Sequence, residues 1–403
     1  MSGWWWEREG LEVRAGRLFI AGREAEALAQ EHGTPLYVID CDRVREQAVA
    51  LHEALEGAGL RGIVRLALKA QRDSALLRFL REAAPFVGVD VCSPGEVDWA
   101  LEHGWRPSEI SYTGTNLSDR DLAAILDSVV HLNVDLVTQL DRVGRWAPGR
   151  GVGLRLNPRI GAGGVDTLYS GERPTKFGIF AEQLPDALAV ARRHELRVDT
   201  VHFHVGDGYL TDGLPVFEEA VRRVAEMTRF LMSEGCSVVE VNSGGGLGVP
   251  QRAGEPALDL ARWADLLAKH LVPLDVQVAT EPGDFLVKDA VVHLAEVVTA
   301  EDRDGVRFLG LDTGWTVMGE HFVYDAPVEL VLCRAATAEP AHAVTISGHI
   351  NEGDDLFAED YPFPEAREGD IVAAVNVGSY NASMTSAHCL RPPAGTVTFL
   401  DRA

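Results

Sequence analysis

The chain has 403 residues, of which 46% are hydrophobic and 24% charged, and these values are typical of a globular protein rather than a disordered one. Its 37 basic and 61 acidic residues give a formal net charge of −24, which argues against nucleic acid as a partner. The five cysteines form no CxxC pair, so neither a disulfide framework nor a metal site is predicted. No apolar run reaches the length of a membrane span and the first residues lack a signal-peptide layout, so we expect a cytoplasmic protein with no membrane partner.

The first 35 residues contain two short alternating segments, residues 11–14 and 18–20. Alternation of apolar and polar residues is typical of half-buried strands. We predict that residues 1–35 pack with a β domain formed by the end of the chain, to which they could add a strand.

The next part of the chain alternates strand-like runs with amphipathic segments, which is the rhythm of successive βα units. The amphipathic segments predict helices, and they include residues 74–83, 94–102, 183–194, 217–233 and 258–270. The eight predicted strands are residues 63–70, 87–91, 110–113, 132–134, 152–156, 201–205, 238–242 and 276–280. The pattern predicts a (β/α)8 TIM-like barrel, to which we assign residues 36–287.

From about residue 288 the pattern changes to strand-like segments without helices between them. These segments are residues 291–294, 328–332, 344–346 and 371–375. We predict an all-β domain over residues 288–403, so the whole chain is an α/β protein with a barrel followed by a β domain.

Two features fall at the carboxyl ends of predicted barrel strands. Lys69 closes the first strand, and three glycines, Gly244, Gly245 and Gly246, follow the seventh. Active sites of such barrels lie at this end, and loops after the last two strands commonly bind phosphate. A lysine beside a phosphate site is what pyridoxal 5′-phosphate requires. Arg65, at even spacing from Lys69, is predicted to face the barrel interior as a paired or functional residue.

Several motifs occur in an order that is hard to obtain by chance. They are residues 33–38, Leu68-Lys69-Ala70, residues 90–96, residues 176–179, residues 202–206, the glycine triplet and Glu281-Pro282-Gly283. In this order the chain resembles the fold type III pyridoxal-phosphate decarboxylases, the group of diaminopimelate, ornithine and biosynthetic arginine decarboxylases. The resemblance implies an amino acid substrate and a homodimer whose active sites lie between subunits.

The resemblance also implies roles for individual residues. Lys69 and His204 match the catalytic lysine and the histidine that stacks on the cofactor ring, although a histidine in a strand is more often a core residue. Glu281 matches the partner of the ring nitrogen. We expect Lys69 to be partly desolvated, which lowers the pKa of a lysine. The remaining predicted cofactor ligands are Asp90, Arg155, Ser243, Gly244, Gly245, Gly246 and Tyr380.

The chain departs from the family pattern at the phosphate. Asp207 and Asp284 stand where the family has a serine and an arginine that bind the phosphate group. Carboxylates are unfavourable beside phosphate unless a cation compensates, and Lys288 or Arg155 are the candidates for it.

Further departures concern the substrate. Asn351 replaces a cysteine that in the family commonly reprotonates the carbanionic intermediate, which leaves His349, His388 and Tyr380 as candidate acids. Glu320 replaces an arginine that grips diaminopimelate, so that substrate is predicted to be disfavoured against one with a distal amine or guanidine. The predicted substrate-binding residues are Glu320, Tyr324, Asn351, Glu352 and Asp355.

The leading hypothesis is therefore a pyridoxal-phosphate-dependent amino acid decarboxylase that acts as a homodimer. Two alternatives remain open: a relative such as an epimerase that does not decarboxylate, because Asn351 removes the usual acid, and a cofactor-free binding or regulatory homologue, because Asp207 and Asp284 oppose phosphate.

Overall fold

Eight parallel strands close into a barrel in the structure, a computed structural model that describes residues 4–160, 162–163 and 175–402. Each strand pairs with the next in chain order, and the eighth pairs with the first. The strands are Gly62–Ala67, Val87–Val91, Ile110–Thr113, His131–Val134, Gly151–Arg155, Arg197–His202, Glu240–Asn242 and Gln277–Thr280. All eight correspond to predicted strands, so the barrel prediction is confirmed.

Helices between the strands surround the barrel, and several begin at a side-chain cap. Asp73 accepts backbone N–H bonds from Ala75 and Leu76, and Ser118 forms a capping box with Asp121. Such caps satisfy N–H groups that the first helical turn leaves without partners. The helices are Cys41–Gly57, Ser74–Ala83, Pro94–Glu102, Asp119–Ser128, Val137–Trp146, Leu184–Arg193, Leu214–Ser233, Leu260–Leu271 and the short Asp284–Val287. None of the helices in these described ranges has the length and apolar character needed to cross a membrane.

The barrel interior contains a buried ion pair. Arg65 donates two hydrogen bonds to the carboxylate of Glu240, at 2.7 and 2.9 Å. Of the two roles considered for Arg65, the structure shows pairing. A two-bond guanidinium–carboxylate contact satisfies both charges where water is excluded.

A second sheet lies beside the barrel and is formed mainly by the end of the chain. Its long strand Val291–Arg303 pairs with Leu36–Asp40, with Ile371–Val375 and with Val306–Leu311. The other strands are Glu329–Leu332, His342–Ser347, Leu356–Phe363 and Gly395–Phe399, and a short helix, Gly319–Tyr324, precedes the first of these. The predicted β domain is thus present.

The strand Leu36–Asp40 belongs to this second sheet, although the sequence analysis assigned it to the barrel. It runs between Val291–Arg303 and Gly395–Phe399, and all five of its residues are buried. A barrel closed by eight strands has no free edge for a ninth, which explains its placement. The exact domain limits, 1–35, 36–287 and 288–403, stay predictions.

The amino-terminal strands form a small sheet of their own. Leu11–Arg14, Arg17–Ile20 and Arg23–Glu24 are antiparallel, and helix Ala25–His32 follows them. Their buried side chains pack against the second sheet in one apolar cluster, which includes Trp6, Leu18, Leu28, Val292, Leu294, Val331 and Ala373. They therefore pack on the β domain and do not extend its sheet.

Candidate active site

Lys69 lies two residues beyond the first barrel strand, in a turn held from both sides. The N–H of Leu68 donates to the carbonyl of Asp90, and the N–H of Tyr380 donates to the carbonyl of Ala70 at 2.9 Å. These bonds connect the lysine turn to the second strand and to a loop of the β domain. Lys69 is exposed in the described chain, so the expected desolvation is not found.

Glu281, just past the eighth strand, is buried and held by residues from three other strands. One carboxylate oxygen accepts from His202 Nε2 at 2.9 Å. The other accepts from Asn242 Nδ2 and from Ser111 Oγ. The result is a carboxylate of fixed orientation at the rim of the barrel.

The charge state of this carboxylate follows from its surroundings. Burial favours the protonated form, but His202, Arg65 and the Asn242 amide outweigh burial and hold the pKa of Glu281 below its usual range. Burial lowers the pKa of His202, so its ring is neutral and donates one N–H. Glu281 is therefore an ionised carboxylate in a buried site.

Asp90 lies beside Glu281 and is in the opposite state. Burial and the neighbouring charge of Glu281 raise the pKa of Asp90 well above its ordinary value, and Lys69 opposes that shift only in part. Two adjacent carboxyl groups cannot both ionise easily, so Asp90 is the protonated member of the pair.

His204 and Asp207 lie at the end of the sixth strand. Nδ1 of His204 accepts the N–H of Gly245 at 3.3 Å, and Nε2 is 3.5 Å from a carboxylate oxygen of Asp207. Although partial burial opposes it, contact with His204 lowers the pKa of Asp207, and the charges of Lys69 and Lys288 add to this effect. The ionised Asp207 thus lies beside the imidazole ring of His204.

The three glycines form a tight loop after the seventh strand. Gly244 and Gly246 have φ angles of +67° and +92°, which favour glycine. A Cβ on Gly245 would lie 2.4 Å from the carbonyl oxygen of Glu281, so the two rim loops approach each other backbone to backbone. Ser243, expected to bind phosphate, instead donates its hydroxyl to the carbonyl of Ala279 at 3.1 Å.

Lys288 lies one helical turn after Asp284 and is buried between two carboxylates. Its Nζ is 2.5 Å from a carboxylate oxygen of Glu320 and 3.5 Å from one of Asp284. The other candidate cation, Arg155, packs over the ring of Phe177, with 4.4 Å from guanidinium to centroid. The structure therefore places Lys288 and not Arg155 against Asp284.

Tyr380 joins this group from the β domain. A Cβ on Gly283 would lie 2.9 Å from its phenolic oxygen, so the phenol adjoins the Glu281-Pro282-Gly283 loop. Burial raises the pKa of Tyr380 well above its usual value, and the charges of Asp284, Asp207 and Glu320 raise it further. The phenol is a neutral donor beside three carboxylates.

The five predicted substrate-binding residues do not come together within one chain. Tyr324, Asn351 and Glu352 are exposed. Asp355 is buried and accepts the backbone N–H groups of Trp315 and Ile350 at 2.8 and 2.7 Å. Asp355 therefore stabilises its own loop. Glu320 is likewise bonded within the chain, to Lys288.

Three residues that hold Glu281 were not predicted as site residues: Ser111, His202 and Asn242. His202 had a recognisable signal, because its spacing of two from His204 places both histidines on the same face of a strand. Ser111 and Asn242 gave no local signal, since they come near Glu281 only through barrel closure.

Comparison with known proteins settles the family. A family model described as the pyridoxal-binding domain of pyridoxal-dependent decarboxylases matches residues 41–288, more than half of the chain. The chain belongs to the pyridoxal-dependent decarboxylase family. It is a carboxy-lyase that uses pyridoxal 5′-phosphate to decarboxylate an amino acid.

Relatives of this decarboxylase match it over nearly its whole length. The diaminopimelate decarboxylase of Methanothermobacter thermautotrophicus is 35% identical over 387 residues, which are 94% of this chain and 89% of the relative. A solved structure of diaminopimelate decarboxylase from M. jannaschii with L-lysine superposes with a TM-score of 0.87 at 26% identity, covering 97% and 93% of the two chains. A lysine decarboxylase from Selenomonas ruminantium gives a TM-score of 0.82 at 26% identity, covering 94% and 96%.

The family supports the leading hypothesis over its two alternatives, but one detail of that hypothesis is not supported. The exclusion of diaminopimelate rested on Glu320, which is buried and bonded to Lys288. Relatives of this decarboxylase also bear the name diaminopimelate decarboxylase.

Proposed function

We propose that this decarboxylase removes the α-carboxyl group of an amino acid with a second amino group at its distal end, and that diaminopimelate is the first substrate to test. The names of relatives that match along nearly the whole chain support diaminopimelate. The observation that supports the chemistry most directly is Glu281, an ionised carboxylate that accepts three hydrogen bonds and lies on the same rim as Lys69.

The rim residues fit the cofactor at its ring end. Lys69 supplies the amine that attaches the cofactor, and its exposure leaves that amine accessible. Glu281 receives the ring nitrogen and keeps it protonated, while the His204 ring supports its face. The glycine amides and Tyr380 would line the phosphate end, where Asp284 has Lys288 beside it and Asp207 has the His204 ring beside it. When bound, pyridoxal phosphate supplies a sink for the electron pair left at the α-carbon.

We also propose that two copies of the chain form the complete site. Tyr324, Asn351 and Glu352 are exposed on one chain. The rim of the same barrel therefore lacks the substrate contacts that these residues are predicted to make. Near them, His388 bonds Glu352 at 2.9 Å and Leu390 is 90% exposed. A large exposed apolar side chain beside polar groups is typical of an interface.

The decisive assay measures carbon dioxide release and product mass with diaminopimelate, lysine, ornithine and arginine. We expect diaminopimelate to give the highest kcat/KM, because the most similar relatives reported above carry that activity in their names. Lys69→Ala should abolish turnover, whereas Lys269→Ala, which changes an exposed lysine on an outer helix, should not.

Three outcomes discriminate the possibilities. Release of carbon dioxide only from another amino acid would replace the proposed substrate and keep the reaction. Exchange of the α-hydrogen without carbon dioxide release would indicate epimerase-type chemistry. No reaction in folded, cofactor-loaded protein would contradict the proposal.

A further inference from the structure

Three loops meet at the rim where (β/α)8 barrels commonly bind phosphate, after the seventh and eighth strands. The glycine loop contacts the Glu281 loop, and a Cβ on Gly246 would lie 2.2 Å from the carbonyl oxygen of Gly206. A phosphate group at this rim would therefore have Asp207 and Asp284 as neighbours, because they directly follow Gly206 and Gly283 in two of the three loops. An anion needs a cation there to bind.

Lys288 is a buried cation beside Asp284, and it is close enough to Asp207 for its charge to lower the pKa of that carboxyl group. The chain contains only four lysines among its 37 basic residues, and Lys288 is one of them. It approaches Asp284 to 3.5 Å, yet the same oxygen of Asp284 is buried and accepts no hydrogen bond from the described residues. Asp284 therefore relies on the charge of Lys288 rather than on a hydrogen bond at this oxygen.

The local charges do not balance for an anionic ligand. Lys288 carries one positive charge, whereas Asp284 and Glu320 carry two negative charges when both are ionised. A phosphate dianion would add two more negative charges to a poorly solvated site. Binding is therefore favoured if one carboxyl group becomes neutral.

Glu320 is the carboxyl group suited to that change. Burial raises the pKa of Glu320 to about 7, Lys288 opposes the shift, and Asp284 adds to it. The remaining polar groups that face it are neutral: the Asn381 amide at 3.4 Å and the phenols of Tyr37 and Tyr380, whose pKa values are raised by burial. A proton on Glu320 would leave Lys288 paired with Asp284 alone.

We propose that Lys288 is the cation of the phosphate subsite and that Glu320 takes up a proton when the phosphate group of the cofactor binds. The proposal rests on the cofactor and not on the choice of substrate. Its tests measure cofactor binding, so they can fail or succeed independently of the decarboxylation assay.

The first test compares pyridoxal phosphate with pyridoxal, which lacks the phosphate group, on the full-length protein. Lys288→Gln should weaken pyridoxal phosphate binding by about 10- to 100-fold, as loss of a charge-assisted contact does, and leave pyridoxal binding nearly unchanged. Lys269→Gln is the matched lysine control. An equal effect on both ligands, or no effect on either, would contradict the role of Lys288.

A second variant covers the possibility that Lys288→Gln does not fold. Asp284→Asn removes a negative charge from the same site without leaving a buried ammonium unpaired, because Glu320 still bonds Lys288. We expect tighter binding of pyridoxal phosphate and unchanged binding of pyridoxal. Unchanged or weaker phosphate binding in this variant would count against the subsite.

The proton uptake is tested by pH. Below pH 7 Glu320 is already protonated, and above pH 7 each binding event must add the proton, so affinity falls as pH rises. The apparent Kd should weaken about tenfold from pH 6 to pH 8 relative to Glu320→Gln, in which the neutral amide removes this dependence. Since the wild type and Glu320→Gln bind the same ligand, the titration of the free cofactor cancels in the ratio of their apparent Kd values.

Calorimetry in two buffers of different ionisation enthalpy should show more proton uptake by the wild type than by Glu320→Gln. Identical pH profiles and identical proton uptake would overturn the role of Glu320.

Discussion

Glu281 and Asp90 are adjacent carboxyl groups on the rim, but Glu281 is ionised and Asp90 is protonated. The groups around each one explain the difference. Glu281 has three hydrogen-bond donors and nearby positive charge, which stabilise its ionised form. Asp90 is buried beside that charge, and one of its oxygens accepts no hydrogen bond from the described residues. Environment separates two chemically similar groups into an acid and a carboxylate.

Amide substitutions at this pair should therefore have unequal effects. Glu281→Gln removes the charge that we propose acts at the ring nitrogen of the cofactor, and it should lower kcat by about 100-fold or more, within the range seen for groups that stabilise transition-state charge. Asp90→Asn replaces a neutral acid by a neutral amide of similar shape and should lower kcat by less than about threefold. Steady-state kinetics with saturating cofactor measure both. Equal losses would show that Asp90 is ionised or has a separate role.

At the scale of elements, the site depends on how closely the strand-end loops approach each other. The Glu281 N–H donates to the carbonyl of Gly244 at 2.8 Å, and there is no space for a Cβ on Gly245 between the two loops. The loops therefore act as one unit, and Glu281 keeps its orientation only if the glycine loop keeps its course.

Gly245→Ala should destabilise the protein by about 1–3 kcal/mol, because a backbone must move to accept the methyl group. It should also weaken cofactor binding, since the moving backbone belongs to Glu281. Gly57→Ala is the control: it ends a helix, nothing lies within 4 Å of the added Cβ, and alanine suits helices better by up to about 1 kcal/mol. Urea unfolding measures the stability of the two variants, and cofactor titration measures their affinity. A Gly245→Ala protein as stable and as tightly binding as the wild type would contradict the proposed coupling of the two loops.

For the whole molecule, the main consequence is the proposed division of the site between two chains. The barrel supplies Lys69, whereas Glu352 is exposed on a loop of the second sheet. If Glu352 acts in the partner's site, each homodimer contains two equivalent mixed sites related by symmetry.

Mixing inactive Lys69→Ala with a Glu352→Ala protein should then restore activity after subunit exchange. Random exchange makes half of the dimers mixed, each with one intact site, so about a quarter of wild-type activity is expected. Light scattering confirms the dimer, and unexchanged proteins serve as the control. A fully active Glu352→Ala homodimer would remove Glu352 from the site, and an inactive mixture of exchanged chains would contradict sharing.

The sequence by itself was sufficient to predict the eight barrel strands and the second sheet. It was also sufficient to place Lys69, Glu281 and the glycine triplet at the ends of barrel strands. These features have local signals, because strands buried in a parallel barrel are apolar throughout and their ends carry the functional loops. The family motifs likewise lie within short stretches of chain.

Only the tertiary structure decided which groups meet. Glu281 bonds His202 across 79 positions of the chain, Lys288 bonds Glu320 across 32, and strand Leu36–Asp40 joins the second sheet rather than the barrel. Such contacts depend on barrel closure and on packing between sheets, which leave no local pattern. The same is true of charge, since burial and distance to other groups determine whether Asp90, Glu281 and Glu320 carry a proton.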